Sequence, residues 1–223
     1  MRLTHVSIDK QIEWNENNHI NELIVESPTF FREIIGEMKF DTSKEAKLNI
    51  FDDKKGINPS SDVDVIFNPV ELDFNQRKVN ATLMKILVKV SISEDFYMST
   101  NKFKTKIIKY LNEIVNSEDF GFEIGADDFS IDQIAKAVNF HIVGDEDDFV
   151  ELITDYLEVM TELGGIRLFV FVGLRGYLKD EELERFVKNL KDRQVDVLLL
   201  ENVDRGVVKE ISRVVIDRDL CEI

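Results

Sequence analysis

Two continuous apolar runs near the end of the chain constrain its fold more than anything else in it. Residues 167–172 carry Leu168-Phe169-Val170-Phe171-Val172, and residues 195–200 carry Val197-Leu198-Leu199-Leu200, with little of the polar alternation of a half-exposed strand. A strand that is apolar throughout is covered on both faces, which points to a parallel sheet packed between other layers. Between the runs, residues 180–193 have helical periodicity and open with Asp180, Glu181 and Glu182, which suit the positive end of a helix dipole. Strand, helix, strand of this length is a parallel crossover unit, normally right-handed. Residues 207–212 and 214–216 add a last helix turn and an edge strand.

The beginning of the chain reads as α/β too. Residues 3–8 and 11–14 suit a hairpin around Asp9-Lys10, and residues 22–26 suit a strand centred on Leu23-Ile24-Val25. Ser27-Pro28 is a helix start, since serine caps free N–H groups and proline is preformed for the first helical position. Phe30, Phe31, Ile34, Ile35 and Met38 follow at helical spacing as a buried stripe. Residues 48–51 and 63–67 read as further strands, with a polar turn at 52–61 between them.

From about residue 73 to 163 the pattern is helical. Four apolar faces recur, marked by Val79, Leu83 and Ile86, by Phe103, Ile107 and Tyr110, by Ile131 and Ile134, and by Phe149, Leu152 and Tyr156. The expected architecture is therefore an α/β head with a mostly parallel sheet, built from residues 1–68 and 164–223, and an inserted all-helical leg at 69–163.

Several function classes lack support. The segment after the first apolar strand, Gly173-Leu174-Arg175-Gly176-Tyr177-Leu178, has no glycine cradle ending in Gly-Lys-Ser or Gly-Lys-Thr, so no phosphate loop or nucleotide site is expected there. His5, His19 and His141 are not at metal-ligand spacing, and the single cysteine, Cys221, has no nucleophile motif around it. The opening residues lack an apolar signal core, and no run is long enough to span a bilayer. With one cysteine and no internal disulfide, these set the expectation of a cytoplasmic protein without membrane contact.

Two charge patterns carry chemistry. Glu118, Asp119, Glu123, Asp127 and Asp128 crowd one loop, with Asp132 just beyond and Gly121 and Gly125 able to bend it. Such an oxygen-rich, cysteine-free group suits a hard cation such as Ca²⁺, though the spacing is not that of an EF-hand and equally describes a solvated acidic loop. The neighbouring run Asp145-Glu146-Asp147-Asp148 reads as a helix start. Lys78, Lys85 and Lys89 share one side of the first middle helix, while Lys102, Lys106 and Lys109, with Lys104 nearby, share one side of the second. These stripes fit either a channel for phosphates or ordinary solvated faces. The formal net charge of −16 argues against nucleic acid unless positive charge is local or cations offset the acids.

The order of these pieces resembles the CRISPR-associated adaptation protein of type II-A systems, the Csn-two family. The resemblance covers most of the chain. It rests on Leu168-Phe169-Val170-Phe171-Val172, Tyr177-Leu178-Lys179-Asp180-Glu181-Glu182 and Val195-Asp196-Val197-Leu198-Leu199-Leu200-Glu201, on Lys47-Leu48-Asn49-Ile50-Phe51-Asp52, on Phe74-Asn75, and on residues 131–140. It implies a head related to phosphate-loop ATPases but without a working nucleotide site, and a helical leg. It further implies a non-enzymatic homotetrameric ring, calcium held by acidic residues, and double-stranded DNA threaded through the ring from free ends without sequence preference. The implied partners are the CRISPR integrase proteins and the type II effector nuclease, in spacer acquisition for antiviral defence. The family's acidic group, Glu-x-Asp-x-Glu-x-Asp-Glu, falls on residues 118–128, where Glu123, Asp127 and Asp128 match and Gly121 stands in place of an aspartate. The readings that compete with it are a metal-dependent nuclease using the same acids, and a protein scaffold that ignores DNA.

Overall fold

The structure, a computed structural model, describes residues 1–40, 47–52, 56–117, 128–144 and 147–223. Its centre is a five-stranded sheet in the order β5-β6-β7-β3-β8, made of β3 (Ile20–Val25), β5 (Val63–Ile66), β6 (Leu168–Val172), β7 (Val197–Glu201) and β8 (Ser212–Ile216). Every pairing in it is parallel. The two apolar runs form the adjacent strands β6 and β7, and α7 (Asp180–Arg193) is the helix between them. On α7, the Glu182 carboxylate accepts the Lys179 N–H at 2.9 Å, and Gln194 closes the other end in the left-handed region.

Each face of the sheet has its own core, because side chains alternate along a strand. Leu23, Val25, Leu168, Val170, Leu198 and Leu200 share one core with Phe30 and Ile34 of α1 (Pro28–Phe40). The same core takes Leu3, Ile12 and Trp14, which lie in or next to a second sheet, an antiparallel β2-β1-β4 layer made of β1 (Arg2–His5), β2 (Ile8–Glu13) and β4 (Leu48–Phe51). The Trp14 indole N–H donates to the Val197 carbonyl at 3.0 Å, so the buried ring has its polar atom satisfied. On the opposite face Phe171 meets Phe186 of α7 edge-on, with centroids 6.1 Å apart. Helix α6 (Phe149–Val159) lies along α7, joined by Arg185 to Asp148 at 2.6 Å and Arg193 to Glu158 at 2.9 Å. Asp148 caps α6 by accepting the N–H groups of Val150 and Glu151, as its helix-start reading required, whereas Asp145 and Glu146 lie outside the described residues. A π-helical turn, Met160–Gly164, follows α6 and ends at Gly165 with φ of 69°.

Three local expectations change. The hairpin of β1 and β2 turns at Val6-Ser7 rather than Asp9-Lys10, because the Ser7 N–H donates to His5 Nδ1 and the Val6 N–H donates to the Lys47 carbonyl. The polar stretch before β5 contains a single helical turn, α2 (Pro59–Asp62), capped by Asn58. Residues 207–212 hold no helix turn: the carbonyls of Arg205 and Gly206 are taken by the Arg175 guanidinium, and Gly206 has φ of 88°. β8 then forms the edge strand as expected.

The chain divides into two compact units, Met1–Phe74 with Gly144–Ile223, and Asn75–Val143. The second unit holds α3 (Arg77–Ser91), α4 (Glu94–Asn116) and α5 (Ile131–Ala137). It is shorter than the expected 69–163 leg, since α6 packs on α7 in the first unit. At the boundary, a Cβ on Gly144 would come within 2.7 Å of the Phe74 ring and 2.8 Å of Leu152, so any larger residue there would push these two side chains aside.

Candidate nucleic-acid interface

In parallel α/β sheets, ligands bind at the carboxyl ends of the strands. Here the β3–α1 connection is only Glu26-Ser27, too short to cradle a phosphate. After β6, Gly173 adopts φ of 76° and a short turn brings Arg175 back under the loop. Its guanidinium donates to Glu22 Oε1 at 2.7 Å and to the Gly206 carbonyl at 3.0 Å, while its backbone N–H donates to Glu201 at 3.0 Å. Arg213 reaches Glu22 Oε2 at 2.8 Å and also pairs with Asp204. Glu22, Glu201 and Arg175 are all buried, and burial, with the Glu22 charge beside it, pushes the Glu201 carboxyl up. This corner is filled by the protein's own ions. The sequence pattern does not single it out, although Glu22 is the one charged residue of β3, which is apolar apart from it and Asn21.

The second unit is formally neutral, and its two long helices concentrate basic residues. Residues 75–143 contain nine basic and nine acidic residues, so the net −16 belongs to the first unit. α3 and α4 together hold eight Lys and Arg against three Asp and Glu. At about 100° per residue, Lys102, Lys106 and Lys109 fall within about 60° of one another, and Lys78, Lys85 and Lys89 within about 40°. All six are exposed. Lys85, Lys89, Lys102 and Lys106 have no ion pair among the described residues, while Lys109 is 3.9 Å from Glu113.

Lys104 departs from this group. It lies on the far side of α4 from the stripe, its Nζ is 2.9 Å from Asp128 and 5.7 Å from the Phe129 ring centroid, and its side chain is 18 % exposed. It anchors the end of the acidic segment and does not extend the lysine row.

Of the six candidate metal residues, Glu118, Asp119, Glu123 and Asp127 lie outside the described residues. Asp128 is held by Lys104 and by the Phe129 N–H, and Asp132, in the first turn of α5, by Lys136 at 2.7 Å. The Lys104 hydrogen bond lowers the Asp128 pKa, and the Lys136 hydrogen bond lowers that of Asp132. Both therefore stay ionised, but each already faces an ammonium group. Among the described residues no three His, Cys, Asp or Glu side chains converge on one point. The two described acids do not form a cation cradle by themselves.

The fold and this site define a class: a mixed α/β protein whose sheet corner is closed by an internal ion network and whose inserted helical unit carries exposed lysines. The chain belongs to the family described as CRISPR-associated protein (Cas_Csn2), whose model matches residues 40–220. Its role is accordingly CRISPR-associated. No curated protein matches the chain. Among solved structures, it is similar to one titled "Dimeric structure of a post-hydrolysis state of the ATP-binding cassette MJ0796 bound to ADP and Pi", at 8 % identity and a TM-score of 0.35 over 91 % of this chain and 88 % of that one. That likeness is too slight to bear on function. No helix of the described residues is long and apolar enough to cross a membrane.

Proposed function

We propose that this protein is a non-catalytic, sequence-independent clamp on double-stranded DNA, acting in the cytoplasm during CRISPR spacer acquisition. In this reading four copies close a ring that threads onto free DNA ends, calcium held by the acidic segment stabilises the ring, and the integrase proteins and type II effector nuclease are its partners. The observation that carries the DNA part is the segregation of charge. The exposed, unpaired Lys102 and Lys106 lie in a row on a neutral unit while the rest of the chain is strongly acidic. Local positive charge of this kind attracts phosphates that the whole molecule would repel.

The apolar surface supports assembly. None of the residues of α4 is buried by the described residues, and Phe103, Tyr110, Leu111 and Ile114 are exposed along one side. Apolar faces this continuous mark protein contacts in a soluble chain. For calcium, the support is the donor chemistry of the 118–132 segment, six carboxylates without competing thiols or imidazoles.

The test of the DNA part is fluorescence anisotropy on a blunt duplex across a salt series. Lys102→Glu with Lys106→Glu should weaken binding at every salt concentration and flatten the plot of log affinity against log salt by about 2, close to one unit per lost phosphate contact. An unchanged slope would remove these lysines from the interface. Incubation of closed-circular plasmid with Mg²⁺ or Mn²⁺ should leave it intact; nicking would favour the nuclease reading instead.

A further inference from the structure

Above the buried ion network, at the carboxyl end of the parallel sheet, two loops of the first unit lie against each other. One is residues 173–179, after β6, and the other is residues 202–211, after β7. The Arg175 guanidinium ties them by donating to the carbonyls of Arg205 at 3.2 Å and Gly206 at 3.0 Å. A Cβ on Gly176 would sit 3.5 Å from Arg205 Nη2, which places the Arg205 side chain against the residue before Tyr177. The Gly206 N–H donates to Asp204 at 2.7 Å, and Asp204 also pairs with Arg213. Buried charge therefore fixes both loops from below.

What the loops display is apolar and cationic. Tyr177, Val203 and Val207 are 49, 50 and 80 % exposed. Of the acids in the second loop, Asp204 is taken by Arg213 and Glu210 by Lys191 at 2.8 Å. Arg205 and Lys209 are exposed and have no ion pair among the described residues. Exposed apolar residues grouped in this way mark contact surfaces, and Tyr and Arg are the types enriched where proteins meet. Loops already held in one conformation lose little entropy on binding.

Charge selects the occupant. The first unit carries the whole net −16, so it repels DNA and repels the same unit of a second copy. A protein that is basic overall, as nucleic-acid enzymes are, is drawn to the unit as a whole. The free Arg205 and Lys209 then choose which part of that protein lands here. We infer that the paired loops 173–179 and 202–211 are the docking surface for a different protein, basic overall, that presents a short acidic segment with aliphatic side chains. Its aliphatic groups cover Tyr177, Val203 and Val207, while its carboxylates meet Arg205 and Lys209. The inference rests on the partner part of the proposed function and names the surface that performs it.

Biolayer interferometry on the immobilised full chain tests it, with the purified integrase proteins and the purified type II effector nuclease as probes. The wild type should bind at least one of them. Tyr177→Ala, Val207→Glu and Arg205→Gln should each weaken that binding tenfold or more, and Arg205→Gln should also reduce its dependence on salt. All three side chains lie at the surface, so the variants should keep the wild-type circular dichroism, melting temperature, assembly mass and duplex affinity. Val6→Glu, at a 73 % exposed residue of the β1–β2 turn, should bind as the wild type does. Equal binding by all the variants would overturn the inference, as would a loss that Val6→Glu shares. A fall in assembly mass would make the surface a contact between copies, and a fall in duplex affinity would make it a DNA contact; either would overturn it. A wild type that binds none of the probes would overturn the partner reading along with it.

Discussion

Glu22 is the most demanding residue in the molecule. It is fully buried in the second-from-edge strand of a parallel sheet, and two arginines from different segments neutralise it. Removing one partner of a buried ion pair costs about 3–5 kcal/mol, because the other charge stays behind without solvent. Arg175→Met should cost about 3 kcal/mol in urea unfolding, at the low end because Arg213 still holds Glu22. A cost below about 1 kcal/mol, typical of surface pairs, would mean the corner is wet. Asp64 offers a pH test. Burial raises its pKa, offset in part by the Tyr156 O–H donated to it at 2.6 Å. A carboxyl whose folded pKa lies above the unfolded one weakens the fold as pH rises from the unfolded value of about 3.9 through the folded pKa. Asp64→Asn abolishes that loss, so urea midpoints of the variant relative to wild type should improve from about pH 4 to neutrality; a difference that ignores pH would contradict it. Neither residue was legible as special. A lone Glu in a strand has no local signature of its partners, which lie 153 and 191 positions away in sequence.

At the scale of elements, legibility followed how local the determining forces are. β6 and β7 were readable because burial on both faces leaves an unbroken apolar run, and α7 because its acids and apolar stripe mark it without help. The helices of the middle were readable from period alone. Their grouping was not: α6 has the same kind of stripe as α3 and α4, and only its packing against α7 assigns it to the first unit. The hairpin turn was misplaced because Asp9-Lys10 has turn-like composition, while the bonds that set the turn come from His5 and from the distant Lys47. For the candidate site, the lysine rows were legible at helical spacing, but the side-chain pairing of Lys104 with Asp128 was not, since that contact joins α4 to the far end of the acidic segment. It follows that Lys104→Gln should leave the salt dependence of DNA binding nearly as in wild type, in contrast to the Lys102 and Lys106 changes. An equal loss of slope would return Lys104 to the DNA-facing row.

For the whole molecule the governing fact is charge. A chain at −16 that assembles multiplies its own repulsion, and DNA adds more, unless acids are neutralised and lysines concentrate where the phosphates pass. Calcium at the acidic segment would relieve the first problem and the neutral, lysine-bearing unit addresses the second. Under the proposed function, a cation and DNA that bind only the closed assembly would each stabilise it by mass action, which would link all three in one equilibrium. The most direct measurement is a gel shift with linear and closed-circular plasmid, each with calcium and with chelator. A ring that threads over ends should retard the linear form alone, and chelator should abolish the shift. Equal retardation of both forms would contradict threading, and no retardation of either would contradict DNA binding itself.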